Sequence, residues 1–118
     1  MKAHPIRIST LIILLLTLVL TSACTPQKVP GTQRVCVTDN GSQGDQRSKQ
    51  PSMSSDGRFV AFASDAANLV ENDLNGVTDV FVRDLKAGKT IRVSVSSDGK
   101  EGDKASYWPF ISQDGRYV

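Results

Sequence analysis

An internal repeat constrains the fold of this chain more strongly than any other feature of its sequence. When the 118-residue sequence is shifted by 58 positions, residues 34–60 fall on residues 92–118 without a gap. Thirteen of the 27 aligned positions are identical, whereas about one or two identities are expected by chance over such a length. A period of this kind means that one supersecondary unit recurs and buries its apolar faces against its neighbours. The sequence therefore predicts a repeat architecture.

Four short segments within one repeat carry strand patterns. Residues 58–63 are apolar on both alternating sets, which is typical of a strand that is covered on both faces. Residues 51–54 form a short segment before this strand, and residues 78–84 form a mostly buried segment after it. Residues 90–95 alternate cleanly between apolar and polar. Their predicted inward set is Ile91, Val93 and Val95, and their outward set is Arg92 and Ser94.

A Ser-x-Asp-Gly turn occurs in both copies of the repeat. The pair Asp56–Gly57 recurs as Asp114–Gly115. Asp-Gly is a strong hairpin signal because glycine adopts a positive φ, and we expect a two-residue type of turn between the first and second strands. Since the two aspartates are equivalent in the repeat, they are expected in a structural role and not as a catalytic pair.

These patterns predict an all-β fold built of four antiparallel strands per repeat. Predicted burial falls from the second strand to the fourth, and no segment outside the N-terminus has helical periodicity. That gradient fits one blade of a β-propeller, in which inner strands lie between neighbouring blades and the last strand lies at the rim.

An ordered string of short motifs runs through the repeat. It begins with Pro51-x-Met-Ser-x-Asp-Gly-Arg-Phe-Val-Ala-Phe-x-Ser and continues with Asn68-Leu-Val, Asp73-x-Asn-Gly and Asp79-Val-Phe-Val-Arg-Asp. Residues 109–118 start the string again. The whole string resembles the TolB-type, WD-like β-propeller repeat, and the resemblance covers residues 34–118. It implies propellers that serve protein–protein contact, with ligands approaching through the central channel or the loop faces.

Val118 aligns with Val60, which lies inside a predicted strand. The sequence thus holds about one and a half blades: one whole blade, an outer strand before it and the start of the next. Because propellers close with about four to eight blades, we expect the chain to be a fragment of a longer protein. The alternative is a short protein that closes by oligomerising. An uncovered flank is expected to expose four aromatic residues, Phe59, Phe62, Phe81 and Phe110.

The first 23 residues have the layout of a secretory signal peptide. Lys2 and Arg7 precede an apolar run at residues 11–20, and small residues follow it. The run is shorter than the roughly 20 apolar residues that a membrane span needs. We therefore expect cleavage, and the alternative is a retained anchor helix.

Residues 20–24, Leu-Thr-Ser-Ala-Cys, resemble a bacterial lipobox, although Thr21 stands where leucine is commonest. The resemblance implies that Cys24 is lipidated, becomes the first mature residue, and anchors the protein to a membrane. The alternative is an ordinary cleavage site before a cysteine. Thr25 is not the aspartate of the inner-membrane retention signal, which implies the periplasmic side of the outer membrane in a Gram-negative organism and otherwise the outer face of the plasma membrane.

Residues 24–33 contain two prolines and a glycine and are expected to form an extended tether before the repeat domain of residues 34–118. If Cys24 is acylated, Cys36 has no internal partner. It is then predicted to be a buried, inert thiol, and the alternative is an intermolecular disulfide.

Composition excludes two classes of function. The only histidine is His4, so a chain without its signal peptide has no imidazole for Ser-His-Asp, Cys-His or His-zinc chemistry. From Cys24 onward the 12 basic residues equal the 12 acidic ones and are interspersed with them. A nucleic-acid partner needs a clustered basic face, and none is expected.

Two loops contain candidate site residues. Asp73, Asn75 and Asp79 stand at relative positions 1, 3 and 7 and offer the hard oxygen ligands that calcium takes. The alternative is that they form Asx turns and a strand entry. Tyr107 and Trp108 have no aromatic counterpart in the first copy. They are expected to cap the blade core, and the alternative is that they stack on a sugar or a peptide.

The expected function is that of a binding or scaffold module. We expect an exported, lipid-anchored propeller at the cell envelope, with a protein or peptide partner, no catalysis within this chain, and no cofactor unless calcium binds. One alternative is the N-terminal propeller of a prolyl-oligopeptidase-type serine peptidase, whose Ser, Asp and His would lie beyond Val118. Another is an envelope glycan lyase or hydrolase on a propeller scaffold.

Overall fold

The computed structural model describes residues 31–118. Within that range the chain is all-β, with one antiparallel four-stranded sheet and no helix. The strands lie in the sheet in chain order: β1 (Ser48–Met53), β2 (Phe59–Ser64), β3 (Asp79–Asp84) and β4 (Lys89–Arg92). The prediction of four antiparallel strands in one repeat is confirmed, with bounds that differ by one to three residues at most ends.

Residues 1–23, predicted to be a signal peptide, Cys24, predicted to be lipidated, and most of the predicted tether lie outside the described residues. Among residues 31–118 there is no helix with the length and apolar character that crossing a membrane requires.

Strands β2 and β3 form the centre of the sheet. They pair over their whole length, from Phe59 opposite Asp84 to Ser64 opposite Asp79, and nearly all of their residues are buried. One side of these strands is largely apolar, and the other carries an apolar patch around Phe62 and Phe81 among polar residues, so the sheet has apolar surface on each side.

The first face of the sheet carries Phe62 and Phe81, which lie opposite each other in register. Their ring centroids are 5.9 Å apart. Ala66 and Leu69 complete this cluster, and Val35 and the half-buried Cys36 pack against it. The expectation that Phe62 and Phe81 lie on an uncovered flank is therefore wrong, because the segment before β1 and the loop after β2 cover them.

The second face carries Ala61 and Val82, and Ile111 packs against both. Ile111 is 2% exposed and belongs to the second copy of the repeat. Phe59 and Val93 lie at the border of this cluster, whereas Phe110 remains 78% exposed.

The predicted orientation of the fourth strand is wrong. Ile91 is 46% exposed and Val95 40% exposed, whereas Thr90 is buried. Ile91 lies opposite Val82 and so belongs to the open part of the second face. The buried set is polar because it has polar partners: Thr90 Oγ1 donates to the Val37 carbonyl at 2.6 Å. An alternating pattern shows that a strand has two different faces, but it does not show which face is covered by other residues.

The repeat recurs in the structure with its period of 58 residues. Isolated bridges join Val37 to Gln43 and, 58 positions later, Val95 to Glu101. Gln50 and Trp108 are equivalent in the repeat, and both have a φ of 57°. The two copies thus share details of their backbone that no side-chain identity dictates.

The turn between β1 and β2 differs from the predicted two-residue hairpin, because it spans residues 54–58. Gly57 N donates to Ser54 O at 2.9 Å, and Ser54 N donates to Phe59 O at 3.0 Å. Asp56 accepts hydrogen bonds from Ser54 Oγ and from Arg58 N. Only Gly57 in this turn has a positive φ, at +67°. The glycine is therefore the last residue of the β-turn and does not stand beside Asp56 at the centre of the turn.

Replacing Gly57 by valine should destabilise the protein by about 1–2 kcal/mol, because a β-branched residue resists a positive φ. A Cβ at this position meets no atom within 4 Å, so the cost comes from the backbone conformation alone. Urea titration of the free energy of unfolding measures it. Gly57→Asn is the matched control and should cost less, since asparagine tolerates this region. Equal midpoints for wild type and Gly57→Val would contradict the assignment.

Candidate functional site

Two adjacent aromatic side chains lie on the surface after β4. Tyr107 is 51% exposed and Trp108 is 79% exposed, so within residues 31–118 they do not cap an apolar core as expected. The Lys49 ammonium lies 5.0 Å from the centroid of the Tyr107 ring, and Trp108 N donates to Gln50 Oε1 at 3.0 Å. The pair therefore stands beside β1 as an aromatic platform. Such a surface can stack on a sugar ring or on an apolar side chain of a peptide.

The left-handed backbone conformation of Trp108 is not a sign of a strained active site. Gln50 adopts the same φ at the equivalent position, next to the irregularity in the pairing of β1 with β2 between Lys49 and Ser52. Because both copies share it, the conformation belongs to the repeat and not to a site that is particular to Trp108.

The structure brings together the three residues that were proposed for calcium. Asn75 Nδ2 donates to Asp79 Oδ2 at 2.8 Å and to Gly102 O at 3.0 Å. Asn75 Oδ1 accepts from Val77 N at 3.1 Å, which is an Asx turn. Asp73 joins the group through Arg92.

The guanidinium of Arg92 lies among three carboxylates. Its Nη1 is 2.8 Å from Glu101 Oε2, 3.1 Å from Asp73 Oδ1 and 3.6 Å from Asp79 Oδ2. The side chains of Asp73 and Asp79 are 4% and 0% exposed. A calcium ion at Asp73, Asn75 and Asp79 would compete with this guanidinium, and calcium binding there stays a prediction.

Sequence reasoning missed Arg92 and Glu101. Arg92 was predicted to face outward, and Glu101 drew no attention because it follows β4 in a polar stretch. The available signal was the pair of acids beside a strand predicted to be mostly buried, since carboxylates that become buried need a cationic partner.

The pKa values of Asp73 and Glu101 are shifted in opposite directions. Burial raises the pKa of Asp73. The pKa of Glu101 is lowered, chiefly because its carboxylate accepts a hydrogen bond from Leu74 N at 3.1 Å, and secondarily by Arg92. The cluster thus ties the long loop before β3 to the segment after β4.

The four turn residues lie where the repeat places them, in two equivalent turns. Ser112 Oγ donates to Asp114 at 2.6 Å, as Ser54 Oγ does to Asp56. Gly115 has a φ of +72°, and a Cβ on it would lie 2.6 Å from Phe59 Cδ2. The second turn therefore packs directly onto the border of the second face.

A cavity of about 390 Å³ opens between the segment before β1 and the loop after β2. Sequence reasoning did not find it because its walls come from three separate segments. They are residues 38–40, residues 68–71 and Thr90.

The protein should lose stability as the pH falls below about 4, the range where carboxyls of ordinary pKa become protonated. Hydrogen bonds hold the pKa of six carboxyls below the ordinary values: Asp56, Asp65, Asp84, Asp98, Glu101 and Asp114. A lowered pKa contributes stability that is present at neutral pH and is lost as the pH drops through the folded-state pKa. The raised pKa of Asp73 acts in the opposite direction.

Thermal melting at about pH 6 and about pH 3 measures this dependence. Arg58 is the main cause of the lowered pKa of Asp84, with Nη2 2.7 Å from Oδ2. Asp84→Asn should therefore flatten the pH profile, and Glu71→Asn, at an exposed acid, serves as the control. A melting temperature that rises towards pH 3 would contradict the prediction.

Scans against protein-family models, curated proteins and solved structures find no match for this chain.

Proposed function

We propose that β1–β4 form one blade of a TolB-like β-propeller. On this proposal the protein is an exported, lipid-anchored binding or scaffold module of the cell envelope. The chain's own residues act by binding a protein or peptide and not by catalysis.

The observation that carries the proposal is that segments before and after the four strands cover both faces of the sheet. Val35 and Cys36 of the first copy pack on the first face. Ile111 of the second copy packs on the second face, and its N–H donates to Ser52 Oγ at 3.1 Å. A propeller blade lies between two neighbours in this way, because one sheet alone cannot bury both of its apolar faces.

The open part of the second face supports the same arrangement. Phe59, Val82 and Ile91 line a shallow groove there, together with Ala87 and parts of Asp84 and Lys89. In the proposed propeller, central strands of the next blade cover this groove. The first face of the sheet is already covered by the chain's own residues.

Reading the gene beyond the codon for Val118 tests the architecture. We expect Ala-Phe-x-Ser to follow at once, because the same motif follows Val60. Further repeats of 58 residues should come after it. Repeats followed by a Gly-x-Ser-x-Gly motif would replace the binding module by the peptidase alternative. A stop codon directly after Val118 would contradict a propeller formed by one chain.

The aromatic platform of Tyr107 and Trp108 is the proposed contact with the partner. A photoreactive phenylalanine analogue at position 108 should yield a discrete protein adduct in intact cells. The matched control is the same analogue at Leu74, which is 80% exposed but lies in another loop. Equal adducts at both positions would mean that the platform has no special role.

Replacing Cys24 by alanine should release the protein from the membrane, because the lipid on this cysteine supplies the anchor. Buried acyl chains contribute about 0.8 kcal/mol per CH₂, so the loss of retention should be nearly complete. Fractionation followed by immunoblotting measures it. Cys36→Ala is the control and should remain in the membrane fraction. A Cys24→Ala protein that still needs detergent for its release would overturn the lipobox interpretation.

A further inference from the structure

The cavity between the segment before β1 and the loop after β2 has an acidic residue on each of these two walls. Asp39 lies on the first wall and Glu71 on the second, and the cavity volume is about 390 Å³. Ligand pockets occupy about 300–1,000 Å³. We propose that this cavity receives a lysine side chain of the protein or peptide partner. The site rests on the proposed binding function and names the chemistry by which the partner is recognised.

Neither carboxylate has a cationic partner within residues 31–118, where the ion pairs go to other acids. Asp39 Oδ1 accepts a hydrogen bond from Thr90 N at 2.7 Å. Oδ2 of Asp39 and both carboxylate oxygens of Glu71 accept none from the described part of the chain. Three acceptor oxygens therefore remain for the donors of a ligand, and an ammonium group carries three donors.

A neighbouring arginine does not neutralise the two acids. Arg83 Nη1 donates to the Thr38 carbonyl at 3.1 Å and to Thr90 Oγ1 at 3.0 Å. The guanidinium reaches these residues from β3. It is buried, does not line the cavity, and forms no ion pair with Asp39 or Glu71. The formal charges on the cavity walls themselves are thus both negative.

The apolar part of the cavity suits the stem of a lysine side chain. Leu69 and Val70 line it next to Glu71. Lysine covers apolar surface with its methylene groups while its ammonium stays beside polar groups. Since one oxygen of Asp39 is already occupied, this acid is less suited to the bidentate pairing that favours arginine. A compact ammonium needs only the oxygen that is left.

The walls are held in place before a ligand arrives. Asp39 is tied to β4 through Thr90 N. On the other wall, Asn68 Nδ2 donates to the Gln43 carbonyl at 3.0 Å, and Asn68 Oδ1 accepts from Asp45 N at 2.9 Å. Because these residues are already ordered, little of their conformational entropy remains to be lost on binding.

Titration with Nα-acetyl-lysine methylamide tests the site. The full chain is isotope-labelled and held in detergent micelles, and amide chemical shifts follow binding. We expect saturable shifts at residues 38–40 and 69–71. Glu71→Gln should weaken binding about fivefold, and its combination with Asp39→Asn about tenfold or more. Asp103→Asn, at an exposed acid that does not line the cavity, removes the same charge and should leave the affinity unchanged.

Thermal melting checks that these variants keep the fold, since Asp39→Asn retains an oxygen for Thr90 N and Glu71 is exposed. The matched ligand is Nα-acetyl-norleucine methylamide, which has the same stem without the ammonium and should bind far more weakly. Equal shifts from the two ligands, no saturable shift from the lysine compound, or an equal loss of affinity in Asp103→Asn would overturn the site.

Crosslinking in intact cells tests whether the lysine belongs to the partner. A photoreactive phenylalanine analogue at Ala67, an exposed residue next to the cavity wall, should yield a protein adduct that Glu71→Gln reduces. Binding of the lysine compound without such an adduct would mean that a small free amine occupies the cavity, which overturns the peptide source. An adduct at position 108 together with none at position 67 would remove the lysine site and leave the proposed binding function standing.

Discussion

Replacing Phe81 by alanine is expected to lower the free energy of unfolding by about 3–5 kcal/mol, the cost of deleting a large ring from a well-packed core. Phe81 is fully buried. It lies in a central strand, directly opposite Phe62 in the sheet. The backbone on both sides is held by ladder hydrogen bonds, so the site cannot collapse around the space that the ring leaves.

Guanidinium chloride titration measures this loss, and Phe110→Ala is the matched control. Phe110 has the same side chain but is 78% exposed, so its removal should change the free energy of unfolding by less than about 0.5 kcal/mol. Equal losses for the two variants would show that the two-sided core around β2 and β3 is wrong.

Replacing Arg92 by methionine should cost about 3–5 kcal/mol, because removal of one partner of a buried ion pair leaves the other charge uncompensated. The variant keeps the apolar stem and removes only the guanidinium. It leaves the carboxylates of Asp73 and Asp79 without their cationic partner, and these side chains are 4% and 0% exposed. Chemical denaturation at neutral pH measures the loss. Lower pH should recover part of the lost stability, because protonation neutralises the two carboxyls that have lost their partner.

Arg47→Met is the control for this second variant. Arg47 also pairs with an aspartate, at 3.3 Å from Asp65, but its side chain is 74% exposed. An exposed pair contributes about 0–1 kcal/mol. Similar losses at positions 47 and 92 would mean that the three carboxylates do not depend on Arg92.

The central strands were predictable from local pattern alone. In residues 58–63 both alternating sets are apolar, so any register buries an apolar residue on each face. The positive φ at Gly57 was also foreseeable, because few other residues tolerate it. The exact turn was not, since the hydrogen bond from Gly57 N to Ser54 O places Asp56 at the centre of the turn and the glycine at its end.

The candidate sites were only partly foreseeable. Asp73, Asn75 and Asp79 were expected to come together, and they do. Their cationic partner was not found, because a clean alternation in residues 90–95 made Arg92 look solvent-facing. Tyr107 and Trp108 were singled out by their lack of a counterpart, but only their exposure distinguishes a surface platform from a core cap.

By itself, the sequence determined the period of 58 residues, the all-β class and the strands that lie at the centre of the sheet. These features follow from residues close together in the chain, or from an identity that recurs at one fixed spacing. Only the tertiary structure decided which side of β4 is buried and which segments cover the two faces. Those outcomes depend on charges and apolar groups far apart in sequence, such as Arg92 with Asp73 and Ile111 with Val82, whose meeting no local pattern encodes.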